Sequence, residues 1–186
     1  MATNEQLTAA LQVVVNVARC IALKRALAAA DPDPSLNFWR VVHGNLLDVA
    51  VLDWCKLFGS DDEDRQLLHW KNVIGDEDAF RAGLFAHVQL DQDAWRGYWQ
   101  QMKSYRDQHV AHLDFNRRDV SHYPDLEPAL ASVCYYYRRL IMELRAMGDA
   151  RFPDDLSRYH EAFLAQADEI AKAATAGTRG FAERVG

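Results

Sequence analysis

Cysteine and basic charge are both scarce in this chain, and each shortage narrows what it can be. Only three cysteines occur in 186 residues, Cys20, Cys55 and Cys134, far apart and among apolar neighbours. That excludes a disulfide framework and fits buried free thiols in a reducing compartment. Lys and Arg number 21 against 27 Asp and Glu, a formal net charge of −6. A surface built to grip long nucleic acid regardless of sequence needs a basic excess, so that class is excluded, while a small basic cleft is not. No stretch alternates apolar and polar residues long enough to read as a strand, and no internal repeat is present. A Gly-rich phosphate loop and a nucleophile elbow are both absent. The N-terminus has no basic segment followed by an uncharged apolar one, which argues against a secretory signal. Asn16, Arg19, Lys24 and Arg25 interrupt the apolar run from Leu11 to Ala30, so no membrane span is expected there and the expected location is the cytoplasm.

What remains is rich in helix signals. Thr3 or Asn4 is placed to cap a first helix that runs to Ala30, and Asp31-Pro32-Asp33-Pro34 stops it. Ser35 is the predicted N-cap of a second helix, Leu36 to Phe58, apolar on more than one face and closed by Gly59. An acidic loop follows, then a short helix from Gln66 to Ile74 whose Leu67, Leu68 and Trp70 should cover the end of the fold. Asp76 caps another short helix, and Asp91 opens a long one through Asp114. Asn116 to Asp125 has turn chemistry. Two more helices are predicted, Leu126 to Met147 with Gly148 as its C-cap, and Asp154 to about Ala174 with Leu156, Tyr159, Phe163, Ala167 and Ile170 inward. The pattern predicts an all-α fold, an antiparallel bundle of four to five long helices with short connecting helices. One helical domain over residues 1–174 is expected, with 175–186 as a frayed tail.

The stretch from Trp95 to Asp114 is the chain's best candidate for chemistry. Wound as a regular α-helix, it sets Trp95, Trp99, Met102, Arg106, Val110 and Leu113 within roughly 80° of one another. A guanidinium in such a stripe needs a hydrogen-bonded partner or an open groove, because burying it unpaired costs several kcal/mol. Asp107, His109 and His112 stand beside it. RNA cleavage without a metal needs a base for the ribose 2′ proton, an acid for the leaving oxygen and a cation for the phosphorane charge. Histidine suits the first two because it titrates near neutrality, and arginine suits the third because its fork matches phosphate oxygens. On a regular helix Arg106 and His112 point about 120° apart, so they reach one phosphate only from two sides of a cleft, or with a second copy of the helix beside them.

Competing readings attach to the same residues. Arg106 could pair with a carboxylate of a neighbouring helix, leaving the histidines as satisfied residues at the core edge. His109 and His112, at i, i+3 and with His122 following, have metal-ligand spacing, but no carboxylate takes a general-base place and no cysteine stands close. Neither a metal nor another cofactor is therefore expected. Tyr105, Arg138 and Arg139 are candidate substrate contacts, since aromatics beside arginines stack bases and bind phosphate. Three consecutive tyrosines on a helix point three ways, however, which places at least Tyr137 in the core. His43, His69, His87 and His160 sit singly on amphipathic helices and read as structural.

The run Arg106-Asp107-Gln108-His109-Val110-Ala111-His112 resembles the motif of the HEPN superfamily (higher eukaryotes and prokaryotes nucleotide-binding): an arginine, a polar residue, and a histidine after four to six intervening residues. Together with an aromatic-rich second helix and the segments KLFG, HWKNVI and YRDQHVAHLDF, it is similar to the abortive-infection branch, over about Asn37 to Leu144. The resemblance implies a homodimer whose two motif helices line one cleft. It also implies a metal-independent endoribonuclease of toxin–antitoxin or phage-defence type, acting on RNA such as tRNA or mRNA and leaving a cyclic phosphate. An antitoxin or defence-system protein would be its partner. Carried over by residue, His112 does the acid/base work, Arg106 holds the phosphate and Asp107 orients one of them; the part given to His109 rests on position alone. Relatives controlled by a nucleotidyltransferase carry a tyrosine two places after the motif histidine, where this chain has Asp114 and then Phe115, so that control is not expected. The alternative is a non-catalytic dimeric helical module that binds a partner protein or nucleotide.

Overall fold

The computed structural model describes residues 2–60, 66–111 and 123–182, and every described regular element is helical. These are α1 (Asn4–Ala29), α2 (Asn37–Phe58), α3 (Trp70–Val73), α4 (Glu77–Val88), α5 (Gln92–Tyr105), a π-helical turn (Arg106–Ala111), α6 (Glu127–Ala146) and α7 (Leu156–Gly177). The fold is all-α, as the periodicity predicts.

Most helix starts follow side-chain chemistry, while the N-cap residues of α2 and α6, Leu36 and Leu126, make no side-chain cap. Thr3, Asp76, Asp91 and Asp155 each accept a hydrogen bond from a backbone amide of the first turn of the helix they precede, which satisfies a donor that has no partner within the helix. Ser35 does not cap α2. Its own amide and hydroxyl both turn to Asp33 Oδ1, at 2.9 and 2.7 Å, and Leu36 opens the helix with no side-chain cap. Asp33 competes for the serine because an Asx turn closes between residues two apart.

Helix α1 is the central element, packed against α2, α6 and α7. By length and composition it is long and apolar enough to cross a membrane, a test that a mostly buried core helix also passes. Here the fold partners the polar residues that interrupt its apolar run: Asn16 with Asp53, Arg19 with Tyr159, Lys24 with His43, and Arg25 with Glu127 and His160. Its buried face carries Leu7, Leu11, Val14, Val17 and Ile21. Against these lie Leu47, Val51 and Trp54 of α2 and Val133, Tyr137 and Leu140 of α6, all in one core. Within that core the Trp54 indole donates to Ser132 Oγ at 2.9 Å, which in turn donates to the Ala129 carbonyl at 2.8 Å.

Several sequence expectations shift by a turn or a face. The short helix expected over Gln66–Ile74 is reduced to α3, and Leu67 is 64% exposed while Trp70 is buried and stacked on Phe80, with ring centroids 4.6 Å apart. Tyr136, not only Tyr137, is fully buried, wedged edge-on against Phe58 and Phe80. On α7 the inward face is Leu156, His160, Ala167, Ala171 and Thr175, and Ile170 is exposed. The rotation follows from His160, whose Nδ1 lies 2.9 Å from the Ala18 carbonyl. Helix α7 also continues past Ala174 to Gly177, and Trp39 of α2 donates to Thr178 Oγ1 at 3.1 Å.

Candidate functional site around the Arg106 turn

Helix α5 does not run through the motif as one α-helix. Its buried face is Tyr98, Met102 and Tyr105, while Trp95 and Trp99 are half-buried beside it. Tyr98 Oη donates to the Asp125 carbonyl and Tyr105 Oη to Asp48 Oδ1 of α2, each at 2.8 Å. At Arg106 the backbone changes to a π-helical turn, in which each amide bonds five residues back and the turn widens. Tyr105 and Val110 are five residues apart, and both pack on the main core. A regular α-helix would point them about 140° apart, whereas one wide turn brings both inward. Tertiary anchors on either side thus account for the irregularity, and such turns recur at functional sites.

Arg106 therefore sits at the edge of the buried face and not in its middle. Its side chain is 19% exposed and Asp107's is 47% exposed. Nε and a terminal nitrogen of the guanidinium both reach Asp107 Oδ1, at 2.7 and 2.6 Å. The carboxylate expected from a neighbouring helix is supplied by the next residue. On its inner side Arg106 meets Cys55 of α2, whose thiol is pushed up to about 11, first by burial, with the nearby guanidinium acting in the opposite sense. The His109 ring lies 5.1 Å from that of Tyr105. Arg106, Asp107 and His109 thus come together on one turn, half-buried, with solvent on one side.

His112 and His122 lie outside the described residues. Among the described residues no three of His, Cys, Asp and Glu gather as metal ligands would.

The three candidate substrate contacts fall on different surfaces. Tyr105 is 8% exposed and holds Asp48, so it serves as an anchor of the turn. Exposed Arg138 reaches the His87 ring of α4 at 3.3 Å. Arg139 lines a separate cleft with Lys71, Asn72 and Asp76, and its buried Nε has no hydrogen-bond partner among the described residues. The four lone histidines are partnered as structural residues are. His69 caps α3 and accepts from the Lys71 amide, and His43, His87 and His160 meet Lys24, Arg138 and Arg25. For these last three, burial above all holds the imidazole below its ordinary pKa, and the neighbouring cation adds to it; at His160 the Ala18 hydrogen bond opposes both.

Sequence reasoning missed a second feature. A cavity of about 370 Å³ opens where α3, α4 and the first turns of α5 meet, walled by Phe85, Trp95 and Trp99 and rimmed by Lys71, Arg81 and Arg96. Its lining residues run from Phe58 to Trp99, and their one mark in the sequence is tryptophans recurring beside cations.

Comparison of the chain with protein-family models, with curated proteins and with solved structures finds no match in any of the three.

Proposed function

We propose that the protein is a metal-independent endoribonuclease of toxin–antitoxin or phage-defence type, similar to the HEPN superfamily and working as a homodimer in the cytoplasm. In this reading the helices form an antiparallel bundle that presents the Arg106 turn to a two-fold partner. The observation that carries it is the Arg106–Asp107 pair on a π-helical turn: a permanently charged fork, held by its neighbour and 19% exposed. A guanidinium so placed is oriented before substrate arrives, which is what stabilising a developing phosphorane requires. Asp107 fixes its rotamer, and a phosphate would compete with that carboxylate for the fork. His112 follows the turn directly and supplies the acid or base, with the second imidazole of the cleft coming from the partner copy. RNA is the substrate, and an antitoxin or defence-system protein is the regulatory partner.

The pairing of Arg106 with Asp107 also favours one second reading, a non-catalytic dimeric module in which the pair is a structural link to α2 through Cys55. The deciding experiment is RNA cleavage in EDTA by wild type, Arg106→Ala and His112→Ala, with folding followed by circular dichroism. Cleavage by wild type and its loss in both variants supports the enzyme, whereas cleavage that survives both substitutions, or an inert wild type, supports the module.

A further inference from the structure

The cavity beside α5 has the composition of a base-binding site. Phe85, Trp95 and Trp99 line its walls and Lys71, Arg81 and Arg96 its rim, on a chain whose formal net charge is −6. Arg81 is shared with Glu77 and Asp78 of its own helix, at 3.7 and 3.5 Å, and with Lys71 and Arg96 it gives the aromatic cleft a basic rim suited to an aromatic anion. The walls are fixed in place. Trp99 Nε1 donates to the Phe58 and Gly59 carbonyls at 2.6 and 3.0 Å, and Trp95 packs against Trp54, Phe58 and Tyr98. Arg81 lies over the Trp70 ring, 5.7 Å from its centroid.

Helix α5 leads from the cleft to the Arg106 turn. Arg96, Trp99 and Lys103 recur at spacings of three and four along one face of α5, and Arg106 follows three residues on where the π turn begins, about 15 Å of helix from Arg96. Lys103 Nζ sits 4.3 Å from the Trp99 ring centroid, so a cation bridges the aromatic cleft and the motif. We infer that the cleft receives an unpaired nucleobase of single-stranded RNA, whose backbone then follows Lys103 toward Arg106. Every base presents a π-face to the aromatic walls, and Arg96 and Lys103 draw the phosphates. A base inside a duplex is stacked and paired and cannot enter such a cleft. The inference deepens the ribonuclease reading, because the track ends at its phosphate-binding arginine.

Tryptophan fluorescence is the readout, since Trp95 and Trp99 line the site. The probes are short 2′-O-methyl oligouridylate, which lacks the hydroxyl needed for cleavage, an abasic oligomer of equal length, a matched duplex, and UMP. Saturable quenching by oligouridylate is expected, with the abasic oligomer, the duplex and UMP each about tenfold or more weaker. Arg96→Glu, an exposed position, weakens oligouridylate binding about tenfold. Arg40→Glu makes the same charge change at the other end of α2, about 27 Å of helix from Phe58, and leaves binding unchanged. Equal binding of abasic and base-bearing oligomers, UMP binding as well as the oligomer, or no saturable quenching overturns the inference. The same titration on Arg106→Ala separates the two readings: retained binding at the cleft upholds this site even if wild type cleaves nothing, and cleavage without base-dependent quenching removes the site but not the ribonuclease.

Discussion

Tyr105 donates its hydroxyl hydrogen bond to Asp48 Oδ1 at 2.8 Å, joining the last α-helical residue of α5 to the middle of α2. The bond pins the helix immediately before its geometry changes. With Tyr105 held and Val110 also packed inward, the intervening backbone widens into the π turn and Arg106 is carried to the edge of the core.

Tyr105→Phe removes that anchor and leaves a half-buried carboxylate without its donor. The expected cost is about 1–3 kcal/mol, read by urea denaturation. A cleavage defect larger than the stability loss is also expected, because the Arg106 turn loses its upstream support. Unchanged stability would show that Asp48 does not anchor the turn.

Arg106→Lys keeps the charge but replaces the planar fork with a point donor on a flexible stem. It should retain the fold and lose most RNA cleavage in EDTA, by about tenfold or more for the loss of a charge-assisted bidentate contact. Asp107→Asn weakens the grip on the guanidinium and should lower activity less. Equal activity of Arg106→Lys and wild type would remove bidentate phosphate binding from the mechanism.

Ser132→Ala deletes the acceptor of the buried Trp54 indole. An unsatisfied buried donor costs about 1–3 kcal/mol, so the urea midpoint should fall while the denaturant slope stays the same. Ser132→Thr should lose less, since the hydroxyl is kept.

Acidification should destabilise the fold through His160, which is buried against Ala18 and Arg25. Burial, chiefly, holds its folded pKa below the ordinary value. As pH falls the unfolded chain therefore binds the proton first, and stability is lost in the window between the unfolded value, about 6.5, and the lower folded one. Thermal melts across that window should show Tm falling with pH, and the fall should shrink in His160→Gln. His43 and His87 act in the same sense, so the slope should not vanish in the single variant.

The sequence by itself determined the all-α class, most helix starts and the residues of the motif. Capping and helical periodicity are local, and Thr3, Asp76, Asp91 and Asp155 act within one turn of their own position. Only the tertiary structure decided which face of a helix lies inward and where a helix gives up its regular winding. The exposed Ile170, the buried Tyr136 and the π turn at Arg106 each depend on partners such as Ala18, Phe58 and Asp48, which are remote in the chain. The aromatic cleft also waited for the fold, because α3, α4 and α5 must meet before their tryptophans and arginines share a wall. Periodicity reports how apolar a face is, and packing against a particular neighbour settles what that face touches.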